Sequence, residues 1–147
     1  MKYELTDETN GSGLRRIRAL RDIPRYGVEE GDLGGWVESD GNLTQEGDCW
    51  VFDDAQVFGN TQVFGNAMVF GNARVCDDAQ VSDTALIYGN AMVFGNARVF
   101  GKARVFGNAQ VSDDARVFGN AQVGDNAQVF GNARVFNAAV CGGWVTS

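Results

Sequence analysis

The chain has 147 residues and a formal net charge of −7, with 44% hydrophobic residues, 20 glycines, one proline and no histidine. The excess of acids disfavours binding to nucleic acids and to anionic membranes, since both repel an acidic protein. The lack of histidine removes the usual general base and the usual nitrogen ligand for zinc, so we expect no catalysis, no cofactor and no metal.

Residues 1–32 are predicted to cover one end of a repeat domain. The first ten residues are polar and acidic, so they are not a signal peptide. Tyr3–Leu5 and Ile17–Leu20 carry the apolar residues of two short strands, and the arginines nearby are expected to stay solvated or to meet local acids. Pro24 and Gly27 mark a turn into the first coil.

Residues 33–50 are predicted to form a degenerate first turn of a six-residue repeat that becomes regular at residue 51. Counting back in sixes gives the large inward positions as Leu33, Ser39 and Gln45, and the small inward positions as Val37, Leu43 and Cys49. The pattern therefore predicts one coil more than the regular repeats supply.

From Val51 to Val140 the sequence consists of 15 six-residue units with the consensus Val-Phe-Gly-Asn-Ala-Arg/Gln. The first position is Val in every unit except the one with Ile87, and the fifth is Ala in every unit except the one with Thr61. The second position is aromatic in 11 units, and the third and fourth are mostly Gly-Asn, with Asp-Asp in three units.

This unit predicts a solenoid. Alternate side chains of a strand face opposite sides, so Ala and Val point inward while Arg or Gln and Phe point outward. Gly-Asn tolerates positive φ and turns a corner after each short strand. Three consecutive units give a triangular 18-residue coil, whose strands stack in parallel about 4.8 Å apart. Six such coils make a rod of roughly 29 Å.

The unit resembles the hexapeptide repeat of left-handed parallel β-helix proteins, in which an aliphatic residue, three turn residues and a small residue recur. That resemblance implies an all-β, single-stranded, left-handed parallel β-helix with a short N-terminal capping segment. Periodicity alone leaves right-handed solenoids open, whereas a five-residue period is excluded. The predicted domains are the cap, residues 1–32, and the β-helix, residues 33–147.

The segment Gly13–Val51 carries three distinctive runs: Leu-Arg-Asp-Ile-Pro, Gly-Asp-Leu-Gly-Gly-Trp-Val-Glu-Ser and Gly-Asp-Cys-Trp-Val. In these runs it resembles the opening of a family of bacterial and prophage hexapeptide-repeat proteins, here called YdcK-like. The resemblance covers about a quarter of the chain, and it implies a fold but no particular reaction.

The tetrapeptide Gly-Gly-Trp-Val occurs twice, at 34–37 and 142–145. The spacing of its two tryptophans equals six complete coils, so Trp36 and Trp144 are expected on the same edge of the rod, one near each end. Cys141 and Val145 are expected to keep the phase of the repeat, and no cover segment follows them. An open parallel edge favours pairing, so Cys141, Trp144 and Val145 are the predicted end-to-end homodimer contact.

Outward aromatic residues are predicted to form columns along the rod. A candidate interaction surface for a partner or a second copy consists of Phe64, Met68, Leu86, Phe100, Phe118 and Phe136. A second column, predicted to stack, consists of Phe52, Phe70, Tyr88 and Phe106, and a third alternates Phe58, Cys76, Phe94, Ser112 and Phe130. The alternative is that the rings only stiffen the solenoid by stacking.

Three arginines, Arg98, Arg116 and Arg134, recur at every third unit and form a candidate anion site. The alternative is that they pair with neighbouring acids, and the candidates for such pairing are Asp113, Asp114 and Asp125. A column of like charges repels itself, so either an anion or an acidic partner would stabilise it.

Two classes of enzyme share the fold that this chain resembles, the hexapeptide acyltransferases and the γ-class carbonic anhydrases. Both depend on histidines, which this chain lacks. The Asp-Asp pairs are explained as turn residues, since corners two coils apart are too distant to share a calcium ion. The three cysteines are scattered without metal-ligand spacing, so they are expected to be free thiols in a reducing cytoplasm.

We therefore expect a non-catalytic structural or protein-interaction solenoid that self-associates. One alternative is a binder of a small anionic ligand or nucleotide, or a phage-type inhibitor of a host protein. Another is a relative of the hexapeptide acyltransferases that has lost its catalytic histidine. The expected partners are a second copy bound through the C-terminal end, another protein, or both.

Overall fold

The structure, a computed structural model, describes residues 1–146. Its core is a narrow stack of Val, Ile and Ala side chains. Every inward position from Ala55 to Val129 is 0% exposed, apart from Thr61 at 1%. The Arg and Gln positions between them are half-buried or exposed, so the predicted assignment of inward and outward residues is confirmed for these regular coils.

Each regular coil has the predicted 18-residue length, because each strand pairs in parallel with the strand three units later. Val57 pairs with Val75 and Val63 with Val81. Successive units lie on three faces, which we call face 1, face 2 and face 3. The predicted all-β parallel solenoid of about six turns is confirmed, and its left hand stays a prediction from the resemblance.

Face 1 is a nine-stranded sheet that includes the N-terminal strands. In sheet order its strands are β1 (Tyr3–Thr9), β2 (Arg15–Ala19), β3 (Leu33–Val37), β5 (Gln56–Val57), β8 (Arg74–Val75), β11 (Met92–Val93), β14 (Gln110–Val111), β17 (Gln128–Val129) and β20 (Trp144–Val145). The β1–β2 and β2–β3 pairs are antiparallel, and the remaining pairs of face 1 are parallel.

Faces 2 and 3 are parallel sheets of five and six strands. Face 2 consists of β6 (Gln62–Val63), β9 (Gln80–Val81), β12 (Arg98–Val99), β15 (Arg116–Phe118) and β18 (Arg134–Phe136). Face 3 consists of β4 (Trp50–Val51), β7 (Met68–Val69), β10 (Leu86–Ile87), β13 (Arg104–Val105), β16 (Gln122–Val123) and β19 (Ala139–Val140). Two 3-10 turns, Pro24–Tyr26 and Asp40–Asn42, complete the elements. Within residues 1–146 no helix has the length and apolarity to cross a membrane.

The corners are built for close stacking of one coil on the next. Gly95 has φ +66°, and a Cβ there would lie only 2.8 Å from the backbone nitrogen of Asp113. Asp77 takes the equivalent left-handed conformation, and its carboxylate accepts a 3.0 Å hydrogen bond from the Gly95 N–H one coil later. The same bond is made by Asp53, Asp83 and Asp113. The first Asp of each Asp-Asp pair is therefore a clip between coils.

The N-terminal residues cover the first coil as an antiparallel hairpin. Tyr3 and Ile17 are fully buried, and the Tyr3 ring meets the Trp50 ring edge-on at 6.3 Å. Arg16 forms a 2.7 Å ion pair with Glu8. The two predicted strands and the turn at Pro24 are thus present. The arginines of the cap stay solvated or meet local acids, as predicted: Arg16, Arg18 and Arg21 form ion pairs, and Arg15 is exposed.

The first coil departs from the predicted phase. Val37 pairs with Val57 and Leu43 pairs with Val63, in each case two residues further along the chain than in the regular register. Both therefore fill the large inward position rather than the predicted small one. Leu33, predicted to point inward, is 53% exposed.

Two extra residues in this coil are accommodated between Leu43 and Cys49. Ser39 does not point inward but begins the 3-10 turn as its capping residue. Gln45 likewise leaves the core, and its Oε1 accepts a 2.8 Å hydrogen bond from the Lys2 backbone nitrogen. Cys49 is fully buried, and the next residue, Trp50, pairs with Met68 in the regular register.

The last coil is shorter than the others. Val140 pairs with Val123, one residue nearer in the chain than the regular register requires, and Val145 pairs with Val129, two residues nearer. The prediction that Cys141 and Val145 keep the phase was therefore wrong. Cys141 is exposed, and Val145 takes the large inward position.

The two departures cancel along face 1. The coil that begins at β3 is two residues too long, and the coil that ends at β20 is two residues too short. Trp36 and Trp144 consequently lie on the same face, in its third and last strands. Their predicted alignment is confirmed, although the intermediate phase was not.

Candidate functional site

The outer side of face 2 carries the arginine column. The strand register aligns five outward positions one above another: Gln62, Gln80, Arg98, Arg116 and Arg134. All three arginines are exposed. The alignment predicted from their regular spacing is present, and the positive charge lies entirely in the half of the face nearer the C-terminus.

These arginines make no ion pair within residues 1–146, where the ion pairs involve arginines of the cap. The proposed pairing with neighbouring acids is therefore not found. Asp113 instead accepts a 3.0 Å hydrogen bond from the Gly131 N–H, and Asp114 accepts a 3.2 Å bond from the Asn96 side-chain amide. Within residues 1–146 the three guanidinium groups are therefore not held in ion pairs.

A ladder of phenylalanines runs beside the arginines, because Arg-Val-Phe places both outer residues on one side of the strand. The Phe100 and Phe118 rings stack with centroids 5.0 Å apart, and Phe118 and Phe136 follow at 4.9 Å. Ser82 separates them from Phe64 at the head of the column. Phe136 is 56% exposed, whereas the other rings of this column are half-buried.

The remaining residues of the predicted interaction surface lie around a corner. Met68 and Leu86 are paired neighbours on face 3, and both are half-buried. The surface predicted from the sequence is thus divided between an edge of face 2 and the first positions of face 3.

The other predicted aromatic column is present and stacks. Phe70 and Tyr88 are parallel at 4.8 Å, and Tyr88 and Phe106 follow at 5.4 Å. Phe52 meets Phe70 edge-on at 6.4 Å, and Tyr26 of the cap meets Phe52 in the same way. This ladder continues into the cap and is explained by packing alone.

A shallow polar groove of about 440 Å³ lies on face 2 between the corner and the arginines. Its lining residues are Asp78, Gln80, Asn96, Arg98, Asp114 and Arg116. Two aspartates and two arginines line it, so a free anion in this groove would meet two carboxylates as well as two guanidinium groups.

A larger cleft of about 510 Å³ lies at the N-terminal end of the same face. Its wall includes Asp40, Thr44 and Glu46 on one side and Gln62 and Phe64 on the other. The two extra residues of the first coil create this cleft. Sequence reasoning missed it, because Leu43 and Cys49 are six residues apart and so fit the repeat count.

A buried lysine closes the covered end. Lys2 is 1% exposed, and its Nζ lies 2.8 Å from the Cys49 carbonyl oxygen and 3.1 Å from the Cys49 Sγ. Burial lowers the pKa of Lys2, and the neighbouring Cys49 opposes that shift. The lysine donates to the backbone carbonyls of Glu46, Gly47 and Cys49 in the first coil. A charged residue next to the N-terminus gave no sequence signal of burial.

The C-terminal end is open. Trp144 is 76% exposed, and its ring meets Phe130 edge-on at 6.4 Å. Cys141 is exposed and Val145 is half-buried. Within residues 1–146, β20 pairs with β17 and has no strand on its other edge. The three residues of the predicted end-to-end contact therefore lie together at this end.

No group of three or more cysteines or carboxylates within residues 1–146 is close enough to hold a metal. The three cysteines are free thiols. Burial raises the pKa of the Cys76 thiol, and the nearby Asp77 adds to that shift. Raising that pKa makes the thiol less reactive at neutral pH.

Stacked three-sided coils with a Val and Ala core and corner clips define a parallel β-solenoid repeat protein. A family model described as YdcK Beta solenoid repeat matches four 17-residue stretches, at 61–77, 85–101, 109–125 and 127–143. These stretches of the chain are therefore built from YdcK-like β-solenoid repeats. The matched stretches lie between residues 61 and 143, outside the Gly13–Val51 segment that carried the resemblance. No curated protein shows a significant match.

Proposed function

We propose that this protein is a non-catalytic structural or protein-interaction rod that self-associates through its C-terminal end. The observation that carries the proposal is the contrast between its ends. Strand β3 has a strand on each edge, whereas β20 is paired on one edge only within residues 1–146. An exposed strand edge beside an exposed tryptophan is a favourable site for pairing.

A non-catalytic role is supported by the chemistry of the outward positions. The chain has no histidine. The first aspartates of the corners, such as Asp77 and Asp113, accept backbone hydrogen bonds and hold coils together. Their carboxylates are therefore engaged in the fold rather than oriented as general bases, as acid–base catalysis would require. We propose the cytoplasm as its location, since scattered free thiols are typical of a reducing compartment.

The experiment is to measure mass by sedimentation velocity and light scattering across a concentration series, for the wild type and for Trp144→Lys. Edge lysines oppose strand pairing, so this variant is expected to weaken association by about tenfold or more, equivalent to about 1.4 kcal/mol. Gln110→Lys is the matched control, because Gln110 lies in the same outward column of face 1 away from the end.

Two results would contradict the proposal. A wild type that stays monomeric at all accessible concentrations would exclude self-association. If Trp144→Lys and Gln110→Lys associate equally well, the C-terminal end is excluded as the contact.

A second candidate function, binding of a small anion, is supported by the unpaired guanidinium groups of Arg98, Arg116 and Arg134. It has less support than self-association, because Asp78 and Asp114 line the same groove. Titration with inorganic pyrophosphate tests it, and the expected signature is a bound state that Arg116→Glu abolishes.

A further inference from the structure

Face 2 is electrically polar along its length. Asp40 and Glu46 border the cleft at its N-terminal end, and both are exposed without an ion pair in residues 1–146. Arg98, Arg116 and Arg134 occupy face 2 from its middle to its C-terminal end. Opposite charges at opposite ends of one surface are complementary to a second copy of that surface turned end for end.

The shape of face 2 also differs between its two ends. Phe136, at one end of the ring column, is 56% exposed. The cleft of about 510 Å³ lies at the other end, with Phe64 in its wall. Ser82 leaves a gap in the ring column next to Phe100. An antiparallel copy can therefore offer a ring for the cleft and another ring for the gap.

We propose that face 2 is a second self-association surface, on which two copies pack antiparallel. The twofold axis that relates them passes between β9, the strand of Gln80, and β12, the strand of Arg98. Such an axis exchanges β18, the last strand of face 2, with the first coil, which lies next to β6 through the Leu43–Val63 pair. It brings Arg134 opposite Glu46 and Asp40 of the other copy, and it brings Phe136 into the cleft.

The same axis also determines which residues of the two copies face each other on the strands nearer the axis. Arg116 faces Gln62 of the other copy, and Arg98 faces Gln80 of the other copy. No arginine of one copy lies directly opposite an arginine of the other, which limits like-charge repulsion to the two Arg98 residues, one strand apart across the axis. The gap at Ser82 receives the ring of Phe100.

The expected affinity is modest. A rod of roughly 29 Å with a face about 15 Å wide offers on the order of 900 Å² in total from the two copies. That area falls in the range of weak interfaces, so we expect association at roughly micromolar concentrations or weaker. Salt should weaken it further, because the charged ends are solvent-exposed.

The contact is separate from the C-terminal one, so the two are tested apart. In the Trp144→Lys background only face 2 is expected to hold dimers together. Wild type is then expected to form species larger than a dimer, because two isologous contacts extend an assembly. A Trp144→Lys protein that is monomeric while wild type is dimeric would overturn the face 2 contact and leave the end contact standing.

Charge reversal identifies the pairing. In the Trp144→Lys background, Arg134→Glu and Glu46→Arg should each raise the dimer dissociation constant by about tenfold. The double reversal should return it to within about threefold of the starting value, because each charge then meets its opposite again. Arg104→Glu is the control, since Arg104 is an exposed arginine on face 3.

Three outcomes would overturn the pairing. The double reversal could remain as weak as the single variants, or Arg104→Glu could weaken the dimer as much as Arg134→Glu does. The third is that inorganic pyrophosphate binds the Trp144→Lys protein while its mass stays that of a monomer, which would assign the arginines to a free anion. Circular dichroism of each variant checks that the coil is intact.

Discussion

The two Gly-Gly-Trp-Val segments have the same sequence and opposite surroundings. At the covered end, Gly34 and Gly35 are buried, and a Cβ on Gly34 would lie 2.5 Å from the Val51 carbonyl oxygen. At the open end, a Cβ on Gly142 or Gly143 would have no neighbour within 4 Å. In the first copy the glycines are required by close packing. In the second copy no close neighbour within residues 1–146 requires them, and only Gly143 is favoured as glycine, by its φ of +72°.

The tryptophans differ in the same way. The Arg16 guanidinium carbon lies 4.4 Å from the centre of the Trp36 ring, and β2 pairs with the strand that carries it. Trp144 is 76% exposed. The comparison teaches that this motif does not determine its own environment. The neighbouring strand determines that environment, and β20, which carries the second copy, has space for such a strand on its free edge within residues 1–146.

The largest expected effect separates the two valines of the motif. Val37→Asp places an unpaired charge at a site that is 0% exposed, and it should cost more than about 4 kcal/mol and unfold the cap end. Val145→Asp changes a half-buried site, where the charge can reach water, and it should cost about 1 kcal/mol. Urea unfolding of both variants measures the difference, and equal costs would mean that the C-terminal end is covered in solution.

A smaller effect is expected at the glycines. A Cβ on Gly35 would lie 2.5 Å from the Val51 Cγ1, so Gly35→Ala should lower the free energy of unfolding by about 2–3 kcal/mol. Gly142→Ala should change it by less than about 0.5 kcal/mol. If Gly142→Ala in an associating sample were as costly as Gly35→Ala, the second motif would be packed in the assembly as the first is in the monomer.

The smallest effect concerns the lysine of the covered end. Burial lowers the pKa of Lys2, so between that value and its usual one the unfolded chain binds more protons than the folded chain. The free energy of unfolding therefore rises with pH in this alkaline window. The difference between wild type and Lys2→Met, measured by urea unfolding from about pH 8 to about pH 10, should increase with pH. Burial raises the pKa of Tyr3, and that contribution cancels in the difference.

Much of the fold could be predicted because the repeats are regular. Each Val and Ala from residue 51 to 135 lies where the six-residue period places it, and so do the ring columns. The first coil could not be placed by the same count. The large and small inward positions are two residues apart on the same side of a strand, so a two-residue insertion leaves the inward pattern unchanged. Val37 and Leu43 therefore fitted the wrong position equally well.

The candidate sites divide along the same line. The arginine column and the phenylalanine ladder follow from a spacing of three repeat units, which the sequence states directly. The cleft beside Glu46 depends on how an irregular loop leaves the rod. The burial of Lys2 against Cys49 depends on a contact between segments that are far apart in the chain. Neither has a periodic signal.

The corner clips also bear on how the rod opens. Each clip, such as that from Asp113 to Gly131, joins a coil only to the next one. Each coil is therefore stabilised by its immediate neighbours, and no single coil stabilises the whole rod. The last coil contributes the least, since Ala138 and Ala139 are exposed there. The rate of amide hydrogen exchange should therefore be highest at the C-terminal end and should decrease progressively towards the cap. Binding of a second copy at the open end would flatten that gradient.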